Sequence, residues 1–211
     1  GSASLDLMQQ SSETLAGRVA YVDLGPIQAL EWKSTDLETL WLRGGFPNSL
    51  LAPTDSASWD WRDALIRHFL NTDLAQLGIR VEPELMRRYW RMLAHLHGQL
   101  FNASVIAASL GVAASTTTRY LDHLCDALMV RRLEPHHINI GKRLVKSPKV
   151  YVRDSGLVHA LLGLSDLDAV LGHPIAGSSW EGFVLEQLIN AAPQAQASFY
   201  RTSNGAEVDL V

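Results

Sequence analysis

Apolar residues recur at helical spacing through most of this chain and alternate in only a few short runs, which predicts a helix-rich α+β protein. Ser4 to Leu15 reads as a short helix broken by Gly17, and Val19 to Leu24 as a strand ended by Gly25-Pro26. Asp36 to Arg43 reads as a helix stopped at Gly44-Gly45-Phe46-Pro47. Ser58 to Leu77 reads as a longer one, with Trp61, Leu65, Phe69 and Leu70 as its apolar stripe and Gly78 as its C-cap. Pro83 opens another, with Leu85, Tyr89, Met92, Leu93, Leu96 and Leu100 on one face and Arg87, Arg88 and Arg91 toward the other. His95 and His97 fall on different sides of that helix, which argues against a shared metal site.

The most informative stretch follows. Asn102 caps a helix through Leu110, Gly111-Val112-Ala113 makes a tight turn, and Ser115 opens a second helix to Met129. Val130 to Leu133 and Lys149 to Val152 are strands of a hairpin. Helix, short turn, helix, hairpin is the order of a winged helix-turn-helix. Beyond it, Asp154 to about Leu164 and Trp180 to Ala191 read as helices separated by a loop at Gly172 to Gly177. Ser198 to Thr202 and Glu207 to Val211 read as strands joined by Ser203-Asn204-Gly205. The strand at 19–24 has no nearby partner and the last sheet has only begun, so the expectation is a piece of something larger.

Composition changes this picture in three ways. With 211 residues, 47% hydrophobic and 19% charged, the chain suits a folded globular protein. The net charge of −4 restricts any nucleic-acid contact to a local basic patch. A single cysteine, Cys125, excludes an internal disulfide and sits among apolar residues as a buried thiol. No run approaches the roughly 20 apolar residues of a membrane-spanning helix, and a cytoplasmic setting with no membrane partner is expected.

Nucleic-acid chemistry, if any, falls on the winged helix. Ser115, Thr116, Thr117, Thr118 and Arg119 lie at the N-terminal end of the second helix, where a recognition helix meets bases or phosphates. Asp122 and Asp126 further along disfavour deep insertion. Arg131, Arg132, Lys142, Arg143, Lys146, Lys149 and Arg153 face a single acid, Glu134, across the hairpin, with His136 and His137 beside them. That pattern fits phosphate contact or, alternatively, a protein-docking winged helix with a solvated basic loop. No G-x-x-x-x-G-K-[ST] stretch occurs, so the chain is expected to bind no ATP by such a loop. Glu181 early on a helix, with Glu207 and Asp209 on one strand face, is a weak candidate for Mg²⁺.

Taken together, these pieces resemble the C-terminal two-thirds of bacterial and archaeal AAA-superfamily P-loop ATPases carrying the domain-of-unknown-function family 4143. The resemblance rests on Leu15-Ala16-Gly17-Arg18, Gly44-Gly45-Phe46-Pro47, the stretch from Lys142-Arg143 through Lys146-Ser147-Pro148-Lys149-Val150-Tyr151, Asp154-Ser155-Gly156-Leu157, Trp180-Glu181-Gly182-Phe183-Val184, and Tyr200-Arg201-Thr202 with Gly205-Ala206-Glu207-Val208-Asp209. It implies an ATPase remnant over 1–34, a helical extension over 35–82, a winged helix over 83–154, and a truncated restriction-endonuclease-like α/β module over 155–211. Arg18 is then a sensor or finger-type arginine, the bland alternative being a pair with Glu13 or Asp23. Glu181 and Asp209 are the matching carboxylates of a vestigial or incomplete nuclease-like metal site, whose Glu-x-Lys strand would come after Val211.

The leading expectation is a DNA-linked regulatory or binding fragment of a P-loop ATPase. The fragment is inactive and carries no cofactor, and ATP and Mg²⁺ are used by the intact protein. Its partners would be DNA, the ATPase domain and further copies of itself. A metal-dependent nuclease in the intact protein and a protein-only assembly module are the alternatives.

Overall fold

The computed structural model describes residues 24–136, 146–202 and 204–211. The expected helix at 4–15, the strand at 19–24 apart from Leu24, and Arg18, His137, Gly141, Lys142, Arg143 and Ser203 lie outside the described residues.

Helix α1 (Leu37–Arg43) begins where the Asp36 side chain accepts the Thr39 N–H at 3.0 Å, and it stops at Gly44, whose φ of 74° suits glycine. A short helix α2 (Pro47–Leu50) fills the Phe46-Pro47 corner that the sequence left as a turn. Thr54 caps α3 (Asp55–His68), so this helix starts three residues before its expected Ser58. A π-helical turn, Phe69–Asp73, then interrupts the expected run to Leu77 before a last turn at Leu74–Gln76. The wider turn rotates the apolar stripe and buries Phe69, Leu70 and Leu74 together. Helix α4 (Pro83–His95) buries Met86, Tyr89, Trp90 and Leu93. Leu100, assigned by periodicity to the same face, instead lies in strand β1 (Gln99–Leu100), because Gly98 at φ 77° turns the chain first.

Helices α5 (Ala103–Leu110) and α6 (Ala114–Asp126) follow, the first capped by Asn102 and ended by left-handed Gly111. Helix α6 starts after Ala113 without a side-chain cap, so Ser115 lies inside it and does not open it. Strands β2 (Val130–Leu133) and β3 (Lys149–Val152) form at the expected residues. The sheet is antiparallel in the order β1-β3-β2, with Val130 opposite Val152 and Leu133 opposite Lys149. The unexpected β1 makes β3 the central strand. Helices α7 (Ser155–Leu162), α8 (Leu167–Leu171) and α9 (Ala176–Ala191) come next, α9 starting four residues before the expected Trp180. Strands β4 (Tyr200–Arg201) and β5 (Glu207–Val208) close as a small hairpin.

The sheet β1-β3-β2 separates two cores. Its Val130, Val150 and Val152 face joins a large cluster running from Leu40 in α1 to Phe183 in α9. Its Leu133 and Tyr151 face joins a small cluster with Leu185 and Phe199. Alternation along the strands therefore puts Arg131, Leu133, Lys149 and Tyr151 on the side facing α9 and the last hairpin.

Two sequence motifs lock the large core. The buried Asp154 carboxylate accepts the Gly45 N–H at 2.8 Å and the Leu157 N–H at 3.0 Å, so one side chain caps α7 and fixes the end of α1. A Cβ on Gly44 would overlap the Asp154 carboxylate, and one on Gly156 would overlap the Arg43 carbonyl. Arg62, fully buried, donates to the carbonyls of Leu42 at 3.0 Å and Gly156 at 2.8 Å across the same junction.

Candidate functional site

Strand alternation aims Lys149 at the second face of the sheet, and three carboxylates meet it there. Its Nζ lies 2.5 Å from Glu207, 2.7 Å from Asp209 and 3.7 Å from Glu181. Glu181 comes from the second turn of α9, Glu207 from β5, and Asp209 from the residue two beyond it. Phe199 forms the floor, its ring centroid 5.6 Å from the ammonium. Tyr151, two residues along β3, donates its hydroxyl to Glu181 at 2.7 Å. Arg201 approaches the other Glu207 oxygen at 3.4 Å.

Electrostatics follow from this arrangement. Only 3% of the Lys149 side chain is exposed, and burial lowers the ammonium's pKa. The hydrogen bonds to Asp209 and Glu207 outweigh that, so the group is held above its ordinary value and stays charged. Burial, then the bond to charged Glu181, raises the Tyr151 phenol and keeps it neutral.

The sequence paired Glu181 with Asp209 as metal ligands, and the structure does direct both to one point. That point holds the Lys149 ammonium. A divalent ion would have to sit where a buried, covalently attached cation already is. Among the described residues no group of three His, Cys, Asp or Glu side chains is placed to hold a metal. The residues present therefore do not fit the metal that the nuclease resemblance implies.

The basic residues expected to touch phosphate are distributed differently from a solvated patch. Lys149 is buried, which corrects its assignment to a DNA-facing surface. Arg131 makes a bidentate pair with buried Glu186 of α9, at 2.5 and 2.9 Å, and Arg153 reaches the same carboxylate at 3.4 Å. Arg132 pairs with Asp122 of α6; burial pulls the guanidinium's pKa down, and that hydrogen bond together with the nearby negative charges raises it above the ordinary value. Thr117, expected at the contact end of α6, is fully buried and donates to the Ala114 carbonyl at 2.8 Å, so its hydroxyl serves packing. Ser115, Arg119 and Lys146 are exposed, and Thr116 is half-buried. Lys146 and Thr118 line a cleft of about 500 Å³ with Arg132 and Glu134.

Glu186 and Tyr151 were not singled out by sequence. The available signal for Glu186 is an acid between apolar Leu185 and Ile189 on a packed helix, five residues after Glu181.

Other reactive side chains serve the core. Cys125 is a free thiol that burial pushes up to about 11. Ser179 and His159 form a hydrogen-bonded pair of 2.8 Å, yet both are fully buried. Because His159 Nδ1 faces the Leu42 carbonyl at 3.0 Å it carries the proton, and Nε2 accepts from Ser179, which in turn accepts the Trp41 N–H at 3.1 Å. Neither side chain is open to a substrate, since both are 0% exposed. His97 is also buried, accepting the Val152 N–H at 3.1 Å on Nδ1. Burial holds His97 at about 3 and His159 at about 4, so both are neutral.

Comparison with known proteins gives this chain relatives and a family. It is 51% identical over 210 residues to Uncharacterized protein Rv2008c of Mycobacterium tuberculosis and, equally, to Uncharacterized protein Mb2031c of Mycobacterium bovis. The match covers 100% of this chain and 48% of each relative, so the chain spans about half the length of the curated relatives it matches. No solved structure matches it. Residues 176–211, which hold α9 and its carboxylates, match domain of unknown function DUF4143. No helix among the described residues is long and apolar enough to cross a membrane. Residues 34–168, from the approach to α1 to the first residues of α8, match domain of unknown function DUF8612, and the chain belongs to that family.

Proposed function

We propose that this chain is the docking and coupling part of a larger P-loop ATPase, in which α5, α6 and the β2–β3 hairpin act as a winged helix that holds protein. The observation that carries this reading is the engagement of the cations on and just after the hairpin's two strands. Arg131 and Arg153 are held by Glu186, Arg132 by Asp122, and Lys149 by the carboxylates of the C-terminal module. A strand cation committed to a buried carboxylate is not free to release counterions from DNA. The pairs of Arg131 and Arg153 with Glu186, and of Lys149 with Glu181, fasten α9 across the back of the sheet and so join the two family segments. In this reading ATP and Mg²⁺ are handled by the part of the intact protein outside this chain, and α9 with the hairpin transmits movement between that part and the C-terminal module.

The test separates docking from DNA contact. Arg131→Ala should speed amide exchange along 176–191 while leaving the affinity for duplex DNA, measured by fluorescence anisotropy across a salt series, unchanged. A salt slope that shrinks by about one unit with Arg131→Ala, as loss of a phosphate contact requires, while α9 stays equally protected, would restore the DNA reading.

A further inference from the structure

The carboxylate cluster between β3 and the C-terminal hairpin has a shape usually associated with divalent cations, and it already contains a cation. Glu181, Glu207 and Asp209 bring three negative charges to within 3.7 Å of Lys149 Nζ. Lys149 and Arg201 return two positive charges, which nearly balance the three carboxylates. The lysine cannot swing out freely. Its backbone pairs with both β1 and β2, its ammonium lies over the Phe199 ring, and its side chain is 3% exposed. Tyr151 and Glu181 are bonded beside it, so the first carboxylate is also held in place.

We infer that Lys149 is a built-in counter-cation that takes the place of a metal ion, making this cluster an ionic lock between the sheet and the C-terminal module that excludes divalent metal. This goes beyond the docking role and shares only Lys149 with it, since Arg131, Arg153 and Glu186 are not members of the cluster. The physical argument is competition for the same oxygens. A divalent ion needs the facing oxygens of Glu181, Glu207 and Asp209 at about 2.0–2.6 Å, and Nζ lies between them. Binding would require stripping the ammonium of its hydrogen bonds while leaving it buried, which costs several kcal/mol for a desolvated ion. A covalently attached cation also loses no translational freedom on binding, so at ordinary metal concentration it wins.

The test uses the 211-residue chain and Mn²⁺ alone, followed by electron paramagnetic resonance, with thermal melting in Mg²⁺ alongside. The wild type should show no saturable Mn²⁺ site. Lys149→Met should gain one at least tenfold tighter than any wild-type site, and adding Asp209→Asn should remove it. Asp209→Asn alone, at a half-exposed residue, should lower the melting temperature without metal and leave the response to Mg²⁺ the same as wild type. The inference is overturned if the wild type binds Mn²⁺ saturably and loses it with Asp209→Asn, or if folded Lys149→Met gains no site. Should Lys149→Met fail to fold, the Asp209→Asn comparison decides alone: Mg²⁺ stabilisation present in wild type and lost in the variant refutes the lock.

Discussion

Replacing Asp154 with alanine should destabilise the fold more than any other single change at the junction of α1 and α7. The carboxylate does two separable jobs. It caps α7 through the Leu157 N–H, and it accepts the buried Gly45 N–H that ends α1. Loss of a helix N-cap costs about 0.5–2 kcal/mol. A buried N–H left without an acceptor costs about 1–3 kcal/mol. Together these give roughly 3 kcal/mol. A third effect has the same sign. Burial lowers the Arg62 pKa to about 10, and the nearby Asp154 charge is the first contribution opposing that shift, so its removal leaves a buried guanidinium less compensated. For a chain of this length a 1 kcal/mol loss lowers the midpoint by about 2–4 °C. Asp154→Ala should therefore melt roughly 6–12 °C below wild type by circular dichroism. It should also lower the urea midpoint with little change in slope. Asp154→Asn, which retains one acceptor oxygen, should fall between the two. A midpoint within about 2 °C of wild type for Asp154→Ala would refute the reasoning, since it would mean that neither bond contributes to the folded state.

Acid stability follows from the two buried imidazoles. His97 at about 3 and His159 at about 4 bind fewer protons folded than unfolded, so stability is complete above about 6.5 and is lost as the pH falls toward those values. At pH 5 each contributes a loss of about 2 kcal/mol. Urea titrations at pH 7 and 5 check this, and His97→Gln should reduce the difference between them; an unchanged difference counts against the assignment. At Gly182 a Cβ would overlap the His97 imidazole, so Gly182→Ala should destabilise by about 1–3 kcal/mol despite alanine's better helix propensity. A raised melting temperature in that variant would mean His97 moves aside freely.

Local features were legible from sequence because their causes lie within a few residues. Asp36, Asn102 and Asp154 each cap a helix by reaching an N–H three residues ahead, and left-handed Gly111 ends α5. The strands at Val130–Leu133 and Lys149–Val152 follow from apolar content between turn residues. The π turn at Phe69–Asp73 and the strand Gln99–Leu100 were not legible, because the first answers to packing around Phe69 and Leu74 and the second to a vacant edge on β3. The same division governs the site. Sequence identified Glu181, Glu207 and Asp209 as acids able to share a face, since alternation and helix position are local properties. It could not identify their partner, because Lys149 lies 60 residues from Asp209 along the chain. A lysine in a strand reads the same whether water or a carboxylate faces it. Only the docking of α9 and the last hairpin on the sheet decided that Lys149 is buried and that both it and Arg131 are paired, since burying a charge is tolerated only where opposite charges meet it.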